Sequence, residues 1–249
     1  MGTRRLSPRA ALLAVGLLLG GLPWRANALP VPLALFNGRN LAGWRKPTGA
    51  WRVVKDAALD PADPQGLRTV SGTGVLVNGP GTGSGTADLV TEAEYGDVQL
   101  HVEFLLPRRS NSGVYVMGRY EVQIYDSFGR ATDAYPGIEC GGIYPRWIQG
   151  ANVEGHSPRV NASRPAGEWQ SFDVTFRAPR FDATGKKTAH ARFVRVVHNG
   201  GVIHEDVELQ GPTRGSMGED EKPRGPIRLQ GDHGPVAYRN LQVRPLDED

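Results

Sequence analysis

The chain has 249 residues, with 33 glycines and 19 prolines, a composition that leaves little room for long helices and suits many short strands. Residues 1–28 carry four of the 29 basic residues and none of the 26 acidic ones, so the remainder holds 25 against 26, a net charge of −1. That balance excludes a basic surface for nucleic acid, and the sequence pI near 9.1 belongs to the precursor.

The first 28 residues read as a signal peptide. Arg4, Arg5 and Arg9 form its basic region, and Ala10 to Leu22 is an apolar run too short to span a bilayer comfortably. Ala26-Asn27-Ala28 supplies the cleavage pattern, so residues 29–249 are expected as one exported domain, periplasmic or extracellular, with no stable membrane insertion after cleavage. Thr3-Arg4-Arg5-Leu6 leaves twin-arginine export open beside general secretion. Cys140 is the only cysteine, which excludes an internal disulfide and fits a small buried side chain better than a nucleophile.

Past the signal, Trp51–Lys55 and Gly72–Val77 read as short strands. The glycine-rich run from Gly79 to Gly85 lacks the Lys and the following helix of a phosphate loop. Asp97–Leu106 alternates, with Val98, Leu100, Val102 and Phe104 on one face and Gln99, His101 and Glu103 on the other. Asn111–Ser127 reads as two strands joined at Gly118. In the second, Glu121, Gln123 and Tyr125 share one face, opposite Val122, Ile124 and Asp126. A carboxylate beside a carboxamide in an otherwise apolar strand is costly to bury without partners or a polar ligand, so this face is expected to bind something. Residues 128–165, with Trp147, form a long irregular excursion of the kind that often serves function. Trp169–Phe176, Ala189–Val197 and Val202–Val207 are further strands, the last two joined at His198-Asn199-Gly200-Gly201. His190, His198 and His204 are expected on that exposed hairpin, without a role. Ile227–Gln230 and Ala237–Val243 close the domain, and the acidic tip Asp247–Asp249 is expected to be disordered. Short strands separated by turn signals predict an all-β sandwich.

Several segments, taken in order, match one family. They are LFNGRNLAGW (35–44), HVEFLL (101–106), NSGVYVMGRYEVQIYDS (111–127), GGIY (141–144), RPAGEWQSFDVTF (164–176), HNGGVIHEDV (198–207) and GPIRLQGDHGPVAYRNLQVRPL (225–246). Together they cover nearly all of the chain after the signal, which resembles the 3-keto-disaccharide hydrolase domain family of exported bacterial proteins. The resemblance implies a concanavalin A-like jelly-roll β-sandwich of two antiparallel sheets, with substrate on the concave sheet. It also implies an oxidised disaccharide or glycoside, carrying a ketone at C3, as substrate. Residues 177–192 depart from the family pattern by a longer insert.

A ketone at C3 acidifies the proton on C2, so a base can remove it. The enolate then expels the C1 substituent, and water adds back. Such a route needs a base, a donor for the enolate oxygen and an acid for the leaving oxygen, rather than the paired carboxylates of ordinary glycosidases. Glu121 is the first candidate for a catalytic or sugar-binding carboxylate. The alternative is an ion pair with Arg119, which is itself a candidate donor to a carbonyl. Gln123 suits hydrogen bonds to sugar hydroxyls. Asp126 reads either as a substrate contact, if a bulge re-aims it, or as a turn cap.

His233, in Gly231-Asp-His-Gly234, is the second catalytic candidate, because a histidine between glycines can be exposed at a sheet edge and suits base duty. Asp232 can orient the imidazole, and Gln230 precedes the turn. His101 and Glu103 join the same groove if their strand neighbours that of Glu121; otherwise they form a solvated polar face. Asn111 is a sugar contact or a turn residue, and His156 and Trp147 are placed to help close the site. No cofactor is firmly indicated, since no HExxH, Cys-rich or EF-hand spacing occurs. A divalent cation held by scattered Asp, Glu and His stays open. Two rival readings are a non-catalytic carbohydrate-binding module and a retaining glycosidase using Glu121 and Asp126.

Overall fold

The structure, a computed structural model, describes residues 1–2, 31–79, 87–131 and 136–247. Nearly all of the segment expected to be a signal peptide, most of the glycine-rich run and the last two residues of the acidic tip lie outside the described residues. All described regular structure is β. The strands in chain order are β1 (Leu33–Ala34), β2 (Arg52–Leu59), β3 (Leu67–Val77), β4 (Leu89–Tyr95), β5 (Val98–Leu105), β6 (Asn111–Val116), β7 (Tyr120–Tyr125) and β8 (Arg146–Ile148). There follow β9 (Ala151–Val153), β10 (Gln170–Arg177), β11 (Arg180–Phe181), β12 (Lys187–Ala189), β13 (Ala191–His198), β14 (Gly201–Leu209), β15 (Gly225–Leu229) and β16 (Ala237–Pro245).

The larger sheet runs β14-β13-β10-β5-β16-β3-β2, with β1 also on β16, and the smaller runs β4-β15-β6-β7. Every pairing is antiparallel. This is the jelly-roll sandwich that the resemblance implies. Its core forms because each strand buries alternate side chains. Val98, Val102, Phe104, Phe172, Phe176 and Phe193 come from the larger sheet, and Val114, Val116, Val122, Ile124, Ile227 and Leu229 from the smaller. Phe104 stacks on Phe172 at 4.8 Å between centroids, and Phe176 meets both Tyr120 and Phe193 at 5.2 Å. Such pairs add about 0.5–1.5 kcal/mol each beyond their area burial. Cys140 is buried there, and burial pushes its thiol up to about 12, so it is a packing residue.

Turn chemistry fixes the hairpins. Asn199 and Gly200 both have positive φ (51° and 84°), as does the Gln149-Gly150 pair (51° and 84°), the signature of tight hairpin turns that match strand twist. The expected irregular excursion over 128–165 is therefore partly regular. It contains the β8–β9 hairpin, and Ile143 bridges both Val122 and His156, which lays residues 141–144 along β7. The 177–192 insert forms the β11–β12 hairpin, anchored where Arg180 donates to buried Asp97 at 2.8 and 2.7 Å.

His198 and His204 correct an expectation. Both are buried rather than exposed, because the β13–β14 hairpin packs under the 137–145 segment. His198 sits 4.7 Å edge-on to Phe172 and bonds Gln170 at 2.9 Å, and His204 bonds the Gly141 carbonyl at 2.7 Å. Burial pushes both imidazoles down to about 4. Among the described residues no helix is long and apolar enough to cross a membrane.

Candidate active site

The polar face of β7 lies on the outer side of the smaller sheet, but it is not open to water. Glu121 and Gln123 are each 1% exposed. Two segments cover them. Gln123 exchanges backbone hydrogen bonds with Gly141 and Gly142, the Glu121 carbonyl accepts from the Tyr144 amide, and the Glu121 amide donates to Thr213 Oγ1 at 3.1 Å. The neighbouring strands complete the face by register: Tyr115 opposes Glu121, Gly113 opposes Gln123, and Arg228 opposes Tyr115. The result is a cavity of about 210 Å³ whose floor is Glu121, Gln123, Tyr115 and Asn111. Its walls are Tyr144, Arg214, Gly215, Gln230 and His233.

Gly113 makes room for the carboxyl group. A Cβ there would lie 1.9 Å from Glu121 Oε1, so only glycine lets the carboxyl lie across the sheet. The Tyr115 hydroxyl donates to Glu121. Oriented with its nitrogen toward the acceptors, the Gln123 amide donates to Glu121 Oε1 (3.2 Å) and to the Ser112 carbonyl (2.9 Å). Burial nevertheless dominates and pushes the Glu121 carboxyl up to about 8; the Tyr115 bond and the Arg228 charge pull against it, and the charges of Asp88 and Asp232 add to it. Burial, followed by the Glu121 charge, also raises the Tyr115 and Tyr144 phenols.

Arg228 is buried beside this group. Its Cζ lies 3.5 Å from the Tyr115 ring centroid, one nitrogen donates to the Gly215 carbonyl at 2.6 Å, and another pairs with Asp88 at 3.3 Å. At the cavity mouth His233 is half exposed, and its Nδ1 is hydrogen-bonded to the Asp232 carboxylate, which leaves Nε2 free of that bond. Gln230 Oε1 is buried without a partner at the cavity edge.

The structure thus brings Glu121, Gln123, Asn111, Gln230 and His233 into one cavity, with Asp232 behind the imidazole. It does not bring in the others. Arg119 forms no ion pair with Glu121. It is buried at the β6–β7 turn, where it donates to the Asp220 backbone carbonyl (2.7 Å), to the Asp220 side chain (3.2 Å) and to the Met117 carbonyl (3.2 Å), so it anchors the 212–222 loop. Asp126 caps a turn by accepting from the Arg109 amide at 2.9 Å and does not line the cavity, which removes the carboxylate pair of a retaining glycosidase.

His101 and Glu103 lie on the outer face of the larger sheet, because β5 is flanked by β10 and β16 rather than by β7. There His101 pairs with Asp173 at 2.6 Å, and Glu103 accepts from Arg239 and Asn240 at 2.6 Å each. They line a separate groove of about 640 Å³.

Sequence reasoning missed Arg214, Arg228, Tyr115 and Tyr144. Tyr115 was within reach of the same parity rule, two residues from Gly113. The arginines and Tyr144 sit on elements whose register only the fold supplies. Among the described residues no group of three or more His, Cys, Asp or Glu side chains is placed to hold a metal ion.

A candidate glycosyl hydrolase from Parabacteroides distasonis ATCC 8503 is similar at 26% identity, with a TM-score of 0.62 over 86% of this chain and 84% of that one. Two further candidate glycosyl hydrolases from the same organism are more distant. One is 17% identical (TM-score 0.49, 86% of this chain and 93% of that one) and the other 20% identical (TM-score 0.49, 79% and 99%). No curated protein matches the chain. The profile of a carbohydrate-active domain, the 3-keto-alpha-glucoside-1,2-lyase-like domain, matches residues 32–244, and the chain belongs to that family.

Proposed function

We propose that the protein cleaves glycosides oxidised at C3 by elimination across C1–C2, followed by addition of water. The observation that carries this reading is a buried carboxyl with a raised pKa sharing one small cavity with a carboxylate-backed histidine. Pairs of titratable groups with different environments are the mark of separate acid and base duties.

In this reading the Nε2 of His233 takes the C2 proton, with Asp232 orienting the ring and favouring the imidazolium that forms. The electron pair moves through the enolate of the C3 ketone, whose oxygen meets Arg214. The C1–oxygen bond then breaks. Glu121, which at a pKa of about 8 still carries its proton at neutral pH, delivers it to the leaving oxygen. The amides of Gln123, Asn111 and Gln230 suit the remaining hydroxyls. The unpartnered Gln230 Oε1 in particular supports a polar ligand, because a buried acceptor without a partner is costly.

The test is to incubate the protein with a 3-keto-disaccharide and follow monosaccharide release. Release well above buffer is expected. Sugar binding without release would instead make this a carbohydrate-binding module, and hydrolysis of the unoxidised disaccharide would make it an ordinary glycosidase. Export is part of the proposal: the N-terminal segment supports cleavage after Ala28, and N-terminal sequencing of the exported protein should start at Leu29.

A further inference from the structure

A cavity of about 210 Å³ is below the range of roughly 300–1,000 Å³ typical of sites that enclose a drug-sized ligand, so it holds one sugar ring and the second must lie outside it. An exposed aromatic ring stands next to one of the residues that line the cavity. Trp147 in β8 is 49% exposed, and the Cζ of Arg214, a wall of the cavity, lies 4.0 Å from its ring centroid. The ring is therefore one guanidinium away from the space beside Glu121.

This arrangement is held from several directions. Trp147 opposes Asn152 in the β8–β9 register, and Asn152 Oδ1 accepts from Arg214 at 3.4 Å. The Arg214 amide donates to the Pro145 carbonyl at 2.8 Å, and Arg146 pairs with Glu154 at 2.9 Å across the base of the hairpin. The positive-φ turn at Gln149-Gly150 closes the hairpin tightly. A ring fixed in this way loses little conformational freedom when a ligand lands on it.

We propose that Trp147, with Arg214 stacked on it, is the subsite for the C1 substituent, and that this substituent is itself a ring with an apolar C–H face, such as a second pyranose. The inference rests on the glycoside-cleaving reading of the cavity. It is compatible with that reading, in which Arg214 meets the C3 oxygen: C1 is only two ring atoms from C3, so its substituent comes within reach of the ring on which Arg214 stacks. The exit past His233 opens instead on a groove of about 720 Å³ edged by Arg108, Arg109, Asp60 and Asp63, which offers charge but no exposed aromatic ring.

The experiment compares kcat/KM for a 3-keto-disaccharide with that for the methyl 3-keto-glycoside of the same oxidised sugar. In W147A the ratio of the two is expected to fall about tenfold, and W147F should recover most of it; thermal melts confirm that both variants fold. Equal loss on both substrates would show that Trp147 only props Arg214 and overturns the subsite. An unchanged ratio in W147A with a fall in R108A would place the substituent past His233 and also overturns it. If the unaltered protein cleaves neither substrate, the reading of the cavity fails and takes the subsite with it.

Discussion

Two strands of this protein look alike and end in opposite environments. β5 and β7 both alternate apolar residues with a carboxylate and another polar group, Glu103 with His101 and Glu121 with Gln123. On β5 the polar face meets solvent. Burial alone would raise Glu103, but hydrogen bonds from Asn240 and Arg239 outweigh it and hold the group below the usual carboxylate range. His101 is raised, chiefly by its bond to Asp173. On β7 the same alternation is roofed by residues 141–144 and the 213–215 segment, and the carboxyl rises to about 8. An amphipathic strand supplies a polar face, but the loops that cover it decide whether that face is a solvated ion-pair surface or a reactive site.

The sharpest way to break this contrast is to neutralise each face in turn. E121Q and H233A are each expected to lower kcat/KM by about 100-fold or more, the usual scale for acid–base groups, with the fold retained. G113A should follow with a loss of about 10-fold or more, since the new methyl group must displace the Glu121 carboxyl; intact thermal unfolding separates this from misfolding. At the other sheet, E103Q and H101A should leave kcat/KM within about 2-fold and change stability by about 1 kcal/mol or less, as befits partly exposed ion pairs. A 100-fold loss in either would return that face to the active site.

The pH dependences sharpen the same point. Because Glu121 is proposed to act in its protonated form, kcat/KM should fall as pH rises through about 8, and E121Q should lack that limb. Stability carries a matching sign. The folded carboxyl binds its proton more tightly than the unfolded one, whose value is 4.5, so this contribution is complete below 4.5 and is lost as pH rises toward 8. E121Q should therefore be more stable than the native protein at pH 8, by on the order of 1–4 kcal/mol in denaturant melts. His198 and His204 act at the other end: lowered from 6.5 to about 4 by burial, they are stabilising as neutral rings and lose that contribution as pH falls from 6.5 toward 4.

Much of the site was legible along the chain, and the reasons are local. Side-chain parity is a property of a single strand, so Glu121 and Gln123 could be placed on one face and Val122 and Ile124 on the other before any neighbour was known. The turn at Gly231–Gly234 displays His233 for an equally local reason. What the chain could not show is which strands lie side by side. Parity made Arg119 a plausible partner for Glu121, but Arg119 stands at the turn, where its guanidinium is taken up by Asp220 of the 212–222 loop and by the Met117 carbonyl. The cation that does reach the cavity wall, Arg214, comes from that same loop more than 90 residues away in sequence.

The sequence by itself determined the β class, the strands and the alternation that places a carboxyl beside an amide, because these depend on residue type and a period of two. Only the tertiary structure decided that β5 and β7 belong to different sheets, that β15 sets Arg228 beside Tyr115, and that the 141–144 segment shuts water away from Glu121. Desolvation depends on atoms brought in from distant parts of the chain, so a raised carboxyl pKa cannot be read from the residues that flank it.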